Sequence, residues 1–95
     1  MDNKHSLKLI DGTFTPSEAR KVMFDLINSK INYHNMEAFS IKERFNGDTS
    51  YCEKRIKQLK ETRRCLEEII NYTLEERVKL RVTSFINITF IEEID

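Results

Sequence analysis

The sequence has no tryptophan, one proline, two glycines, two cysteines and two histidines among its 95 residues. Each shortage closes off a class of function. There is no glycine-rich loop to cradle phosphate, no serine elbow and no paired-cysteine motif. Cys52 and Cys65 fall thirteen residues apart on one expected helix, about 20 Å at the standard helical rise, too far to bridge within it. Neither has a second cysteine or a histidine at metal-ligand spacing, so no metal site and no cofactor is expected. Sixteen basic and sixteen acidic residues cancel, which argues against a general nucleic-acid or membrane-surface binder. No apolar run approaches the ~20 residues of a membrane span. Residues 1–6 lack the apolar core of a signal peptide. Cytoplasmic residence is the resulting expectation, and the N-x-T triplets at Asn71 and Asn87 are then chance matches.

What the chain has in quantity is heptad-like apolar spacing. Phe24, Ile27, Ile31, His34, Ala38, Ile41 and Phe45 follow each other at steps of three and four, and so do Cys52, Ile56, Leu59, Arg63, Leu66, Ile70 and Thr73. Such steps draw one narrow stripe along a helix, the seam of coiled-coil packing. Asn46 to Ser50 separates the stripes. Gly47 is expected to end the first helix in the left-handed conformation, and Ser50 with Glu53 to form the capping box of the second. So short a connection favours antiparallel neighbours. Folding the stripes about this turn sets Phe45 against Cys52, Ile41 against Ile56, and Ile27 against Ile70. The middle layer opposes His34 and Arg63, a polar pair suited to fixing register; the other reading makes His34 a ligand or a pH-sensitive switch. Glu37 or Glu67, one turn away, could neutralise Arg63.

Flanking segments read as strands. Residues 6–14 alternate weakly, and Asp11-Gly12 is expected to turn the chain toward the helix. Thr15-Pro16-Ser17-Glu18 then supplies a capping hydroxyl, a proline at the first helical position and a glutamate at the third. From residue 77 the period changes to two, with β-branched and aromatic residues through residue 91 and a bend or bulge expected near Thr83-Ser84. Glu92 to Asp95 is an acidic end. The fold class expected is α+β, in the order β-α-α-β. A long antiparallel, coiled-coil-like helical hairpin packs on a small antiparallel sheet. All of residues 1–95 form one domain, with strands at about 6–14 and 77–91 and helices at about 16–46 and 50–73.

Function is weighed from this architecture. Phe85 to Ile91 carries no charge, proline or glycine, and such a segment on an open edge would pair with another chain. Phe85, Ile86, Ile88 and Phe90 are therefore the expected interaction residues of a small structural or interaction module, a homodimer or the binder of another protein, with no membrane partner. The alternative is a nucleic-acid-binding regulator that contacts phosphates through Lys54, Lys57, Lys60 and Arg64 on the second helix. No catalytic residue is expected. His34 with Glu37 could form an acid–base pair, but Cys65 has no base to activate it.

Overall fold

Four elements follow in the expected order: β1 (Lys4–Phe14), α1 (Pro16–Phe45), α2 (Ser50–Glu76) and β2 (Leu80–Thr89). The computed structural model describes residues 1–93, so Ile94 and Asp95 of the acidic end lie outside the described residues. α1 starts where its caps require. Thr15 Oγ1 accepts from the Glu18 N–H at 3.2 Å and the Glu18 carboxylate accepts from the Thr15 N–H at 3.1 Å, the reciprocal capping box with Pro16 as first helical residue.

The two stripes form the seam. Phe24, Ile31, His34, Cys52, Ile70 and Thr73 are buried, and the remaining seam positions are half-buried except one. The exception is Phe45, 76% exposed. It marks a register difference. Cys52, expected opposite Phe45, hydrogen-bonds Glu37 instead. Arg63, expected opposite His34, reaches Asn28 Oδ1 at 2.6 Å, and Glu67 pairs with Arg20 rather than with Arg63. The helices are thus slipped by about two turns from the turn-centred register. A strict seven-residue repeat looks the same after a slip of seven, so the stripe is kept while every facing pair changes.

The connection explains the slip. Asn46, not Gly47, adopts the left-handed conformation (φ 46°, ψ 41°) and turns its N–H back to Ile41 and Lys42. Asp48 Oδ1 accepts from the Ser50 N–H at 2.9 Å and from its hydroxyl. That engagement makes the buried Thr49 the cap residue of α2 and leaves the expected Ser50–Glu53 box unformed. The end of α1 overshoots the packed region and carries Phe45 with it. α2 also outruns its expected end by a turn, stopping where Arg77 takes a left-handed conformation (φ 56°).

β1 and β2 pair antiparallel from Lys4↔Thr89 to Phe14↔Leu80. The expected turn at Asp11-Gly12 does not form: Asp11 and Gly12 pair with Thr83 and Val82, because a long partner strand satisfies their backbone better than a turn leading nowhere. β2 is shorter than residues 77–91, although the Phe90 N–H still donates to Asn3 C=O at 2.7 Å. The bulge lies in β1, between Lys8 and Ile10 and opposite the Ser84–Phe85 step. It does a specific job. Leu7 and Ile10 are out of phase by one residue, and the extra residue Leu9 returns both to the same face.

Residues paired directly across an antiparallel ladder share a face. One face of this ribbon therefore carries His5, Leu7, Ile10, Gly12 and Phe14 with Leu80, Val82, Ser84, Ile86 and Ile88; the other carries Lys4, Ser6, Lys8, Asp11 and Thr13 with Arg81, Thr83, Phe85, Asn87 and Thr89. The inner half of the apolar face, from Ile10 to Phe14 and Leu80 to Ser84, is half-covered by the hairpin at Met23, Leu26, Ile27 and Leu66. The outer half projects beyond it. The molecule is flat and extended, 54 × 37 × 14 Å, with a radius of gyration of 17.2 Å; about 12 Å is usual for a chain of this length.

Candidate functional site

Two features stand apart from ordinary packing: a polar cluster inside the hairpin and a bare apolar strip on the ribbon. The cluster is built from His34 and Glu37, one turn apart on α1, and Cys52 in the first turn of α2. His34 Nδ1 lies 3.4 Å from Glu37 Oε1, and Cys52 Sγ lies 3.0 Å from the same oxygen. His34 and Cys52 are buried, while Glu37 is half-exposed and opens the cluster to solvent. The His34 ring stands edge-on to Tyr33 and Tyr51, with centroids 5.3 and 6.4 Å away. Its Nε2 is buried and has no hydrogen-bond partner. Hydrogen bonds from the Cys52 thiol and then from His34 hold the Glu37 carboxyl below its ordinary value. The same carboxylate, and then burial, pushes the Cys52 thiol up.

Of the expected polar layer, His34 is in place but Arg63 is not beside it. Arg63 runs its half-buried stem out of the seam to Asn28. Glu37, a possible partner for Arg63 in the sequence, serves His34 and Cys52 instead. The His34-x-x-Glu37 spacing is visible in the sequence. The third member is not, since Cys52 joins only in the slipped register.

The expected interaction residues divide between the two ribbon faces. Ile86 (43% exposed), Ile88 (40%) and Phe90 (50%) line the outer apolar face with Leu7 (56%), and His5 stacks on Phe90 with centroids 5.3 Å apart. Phe85 faces the other way, with Lys8 Nζ 5.9 Å from its ring centre. Tyr33, Met36 and Phe39 are further exposed apolar residues on α1.

Of the expected phosphate contacts, Lys54 and Lys57 line a shallow groove on α2 with Gln58 and Glu61, and Lys60 is exposed on the same helix. Arg64 is committed elsewhere: its guanidinium is forked between Glu61, at 2.6 Å, and Glu68. These two carboxylates raise its pKa above the ordinary arginine range and neutralise one end of the basic patch. Among the described residues no helix is long and apolar enough to cross a membrane. No protein-family model, no curated protein and no solved structure matches the chain, so what it can do is read from its own residues.

Proposed function

We propose that this chain is a small interaction module that assembles with a second copy of itself through the outer half of its ribbon. One observation carries the reading. The chain exposes 7923 Å², whereas a compact monomer of its 11.4 kDa mass exposes about 5,800 Å². The difference of roughly 2,100 Å² per chain exceeds the ~800 Å² per partner of a standard interface and falls in the obligate range. The apolar strip of Leu7, Ile86, Ile88 and Phe90 is where such an interface would centre. A second copy suits it because a two-fold contact needs only one self-complementary patch. The zero net charge of the chain adds no self-repulsion, and the free edge of β2 can pair with its own copy.

The test is light scattering coupled to size exclusion at roughly 50 µM, with absorbance read at 260 and 280 nm together. The reading requires twice the 11.4 kDa chain mass, and requires Ile88→Lys to return a monomer that keeps its helical circular dichroism. A wild-type monomer overturns it, and so does an Ile88→Lys variant that stays dimeric. The chain contains three tyrosines and no tryptophan, so bound nucleic acid would dominate at 260 nm. That result would replace the present reading with one based on Lys54, Lys57 and Lys60.

A further inference from the structure

The geometry points to a divalent metal site of the zinc type, formed by His34 Nδ1, the Glu37 carboxylate and Cys52 Sγ, that staples α1 to α2. The three donors come from two helices and lie within 4.8 Å of one another. Their types are those zinc takes: imidazole nitrogen, carboxylate oxygen and thiolate sulfur. Together the thiolate and carboxylate would balance the charge of the ion, so the buried cluster would be neutral.

Distances separate a metal site from a plain hydrogen-bonded layer. As a hydrogen bond, the 3.4 Å between His34 Nδ1 and Glu37 Oε1 is longer than the ordinary range of about 2.7–3.2 Å. The second bond uses a thiol, a weak donor. As the edge of a coordination tetrahedron the same geometry is good. Bonds of about 2.0–2.3 Å at tetrahedral angles hold neighbouring donors about 3.3–3.5 Å apart. The nitrogen–oxygen edge is already 3.4 Å, the 3.0 Å sulfur–oxygen edge has to open by about 0.5 Å, and the nitrogen–sulfur edge lies within 4.8 Å and has to settle to the same length. Cys52 is the third residue of α2, and the Glu37 carboxylate that raises its thiol pKa would, with a cation bound between them, share the ion instead. Glu37 is the half-exposed member, so ions can enter at its side and a water molecule can fill the fourth position.

No single segment of the chain holds the three donors. Cys52 meets His34 and Glu37 only because the hairpin adopts its slipped register. Turn-centred pairing would put Cys52 opposite Phe45, eight residues along α1 from Glu37, or about 12 Å. A metal bound here would therefore select the observed register over its heptad-shifted competitor.

The experiment titrates the full chain, reduced and stripped of metal, with Zn2+ and with Co2+ alone, in a Cys65→Ala background that removes the exposed thiol. The site requires one Zn2+ per chain at micromolar protein, a rise in melting temperature on loading, and a thiolate-to-cobalt charge-transfer band in the near ultraviolet. Cys52→Ala, which keeps a small apolar residue on the seam, should abolish the band. It should also weaken Zn2+ binding by more than about 100-fold, beyond the 10–100-fold loss typical of outer-shell changes. His5→Ala should change neither. Absence of stoichiometric Zn2+ binding by the folded Cys65→Ala chain overturns the proposal, as does a cobalt band that survives Cys52→Ala. Because wild-type-like protein is itself the primary test, the outcome holds even if a ligand variant fails to fold.

Discussion

Replacing His34 with leucine should stabilise the metal-free protein and at the same time remove its response to zinc. The His34 side chain is 7% exposed, and its Nε2 has no partner. An unsatisfied buried polar group costs about 1–3 kcal/mol. Leucine is close in volume to histidine, suits a seam position and leaves nothing unsatisfied there. Glu37 loses one donor but retains the Cys52 thiol and access to water. A net gain of about 1–2 kcal/mol is therefore expected. At the 4–8 °C per kcal/mol of a domain this size, the melting temperature should rise by about 4–16 °C.

The assay is thermal unfolding followed by circular dichroism at pH 7, at one fixed protein concentration, because assembly makes the melting temperature concentration-dependent. Each protein is melted in chelator and again with excess Zn2+. Wild type should gain stability on adding zinc and His34→Leu should not, so the order of the two proteins narrows or reverses between conditions. A loss of more than about 1 kcal/mol for His34→Leu in chelator would refute the reasoning. It would mean that the hydrogen bonds of His34 outweigh the cost of its orphaned nitrogen.

Two further perturbations test the ends of the elements. Arg77 holds a left-handed conformation at the end of α2 (φ 56°), which costs an L-residue about 1–2 kcal/mol. Arg77→Gly should thus raise stability by up to about 1 kcal/mol once glycine's extra unfolded-state entropy is subtracted, as read from the denaturation midpoint at unchanged slope. Asp11 is held below its ordinary carboxyl value of 3.8 by its hydrogen bond from Lys8 and then by the charge of Arg81 on β2. Its folded value is the lower one, so its contribution is complete above about pH 3.8 and is lost as pH falls through the folded value. Asp11→Asn should flatten that part of the acid-unfolding curve, and an unchanged profile would show that the cross-strand pair contributes nothing.

The parts of the fold that depend on local pattern could be read from the sequence. Both seam stripes lie where their spacing puts them, and the Thr15–Glu18 box starts α1 as its residues dictate. Where another partner competes, from a distant strand or from a near neighbour, a local signal is overridden. Asp11-Gly12 is a good turn sequence, yet ten residues of β2 compete for it and win. Ser50 and Glu53 are spaced as a capping box, but Asp48, two residues before Ser50, captured its N–H first. Gly47 is the better left-handed residue by propensity, yet a Cβ there would lie 3.0 Å from Ile41 Cγ2. The glycine therefore serves close approach while Asn46 makes the turn. The phase change from Leu7 to Ile10 is a sequence signal for the bulge, since only a bulge in β1 reconciles it with a one-sided apolar face. The cluster of His34, Glu37 and Cys52 was illegible for a different reason, since it follows from register, and a heptad repeat does not specify register.

That degeneracy bears on what the polar groups of the hairpin are for. The turn-centred register would bury Phe45 and keep every stripe intact, so apolar burial alone does not disfavour it. It would also set the Arg63 guanidinium against His34 inside the seam, where an imidazole nitrogen and a carboxylate one turn away would have to satisfy five N–H donors out of reach of water. The observed register gives each polar seam member an outlet. Arg63 reaches Asn28, Arg20 reaches Glu67, and His34 and Cys52 share Glu37. Three cross-helix polar contacts, Arg63 to Asn28, Arg20 to Glu67 and Cys52 to Glu37, would break together on a slip of seven residues, while the hydrophobic term would barely change. In this hairpin the apolar stripes supply cohesion and the polar contacts supply uniqueness. The weakest of the three as a set of hydrogen bonds is the one at His34, Glu37 and Cys52, and it is the one a bound metal ion would strengthen most.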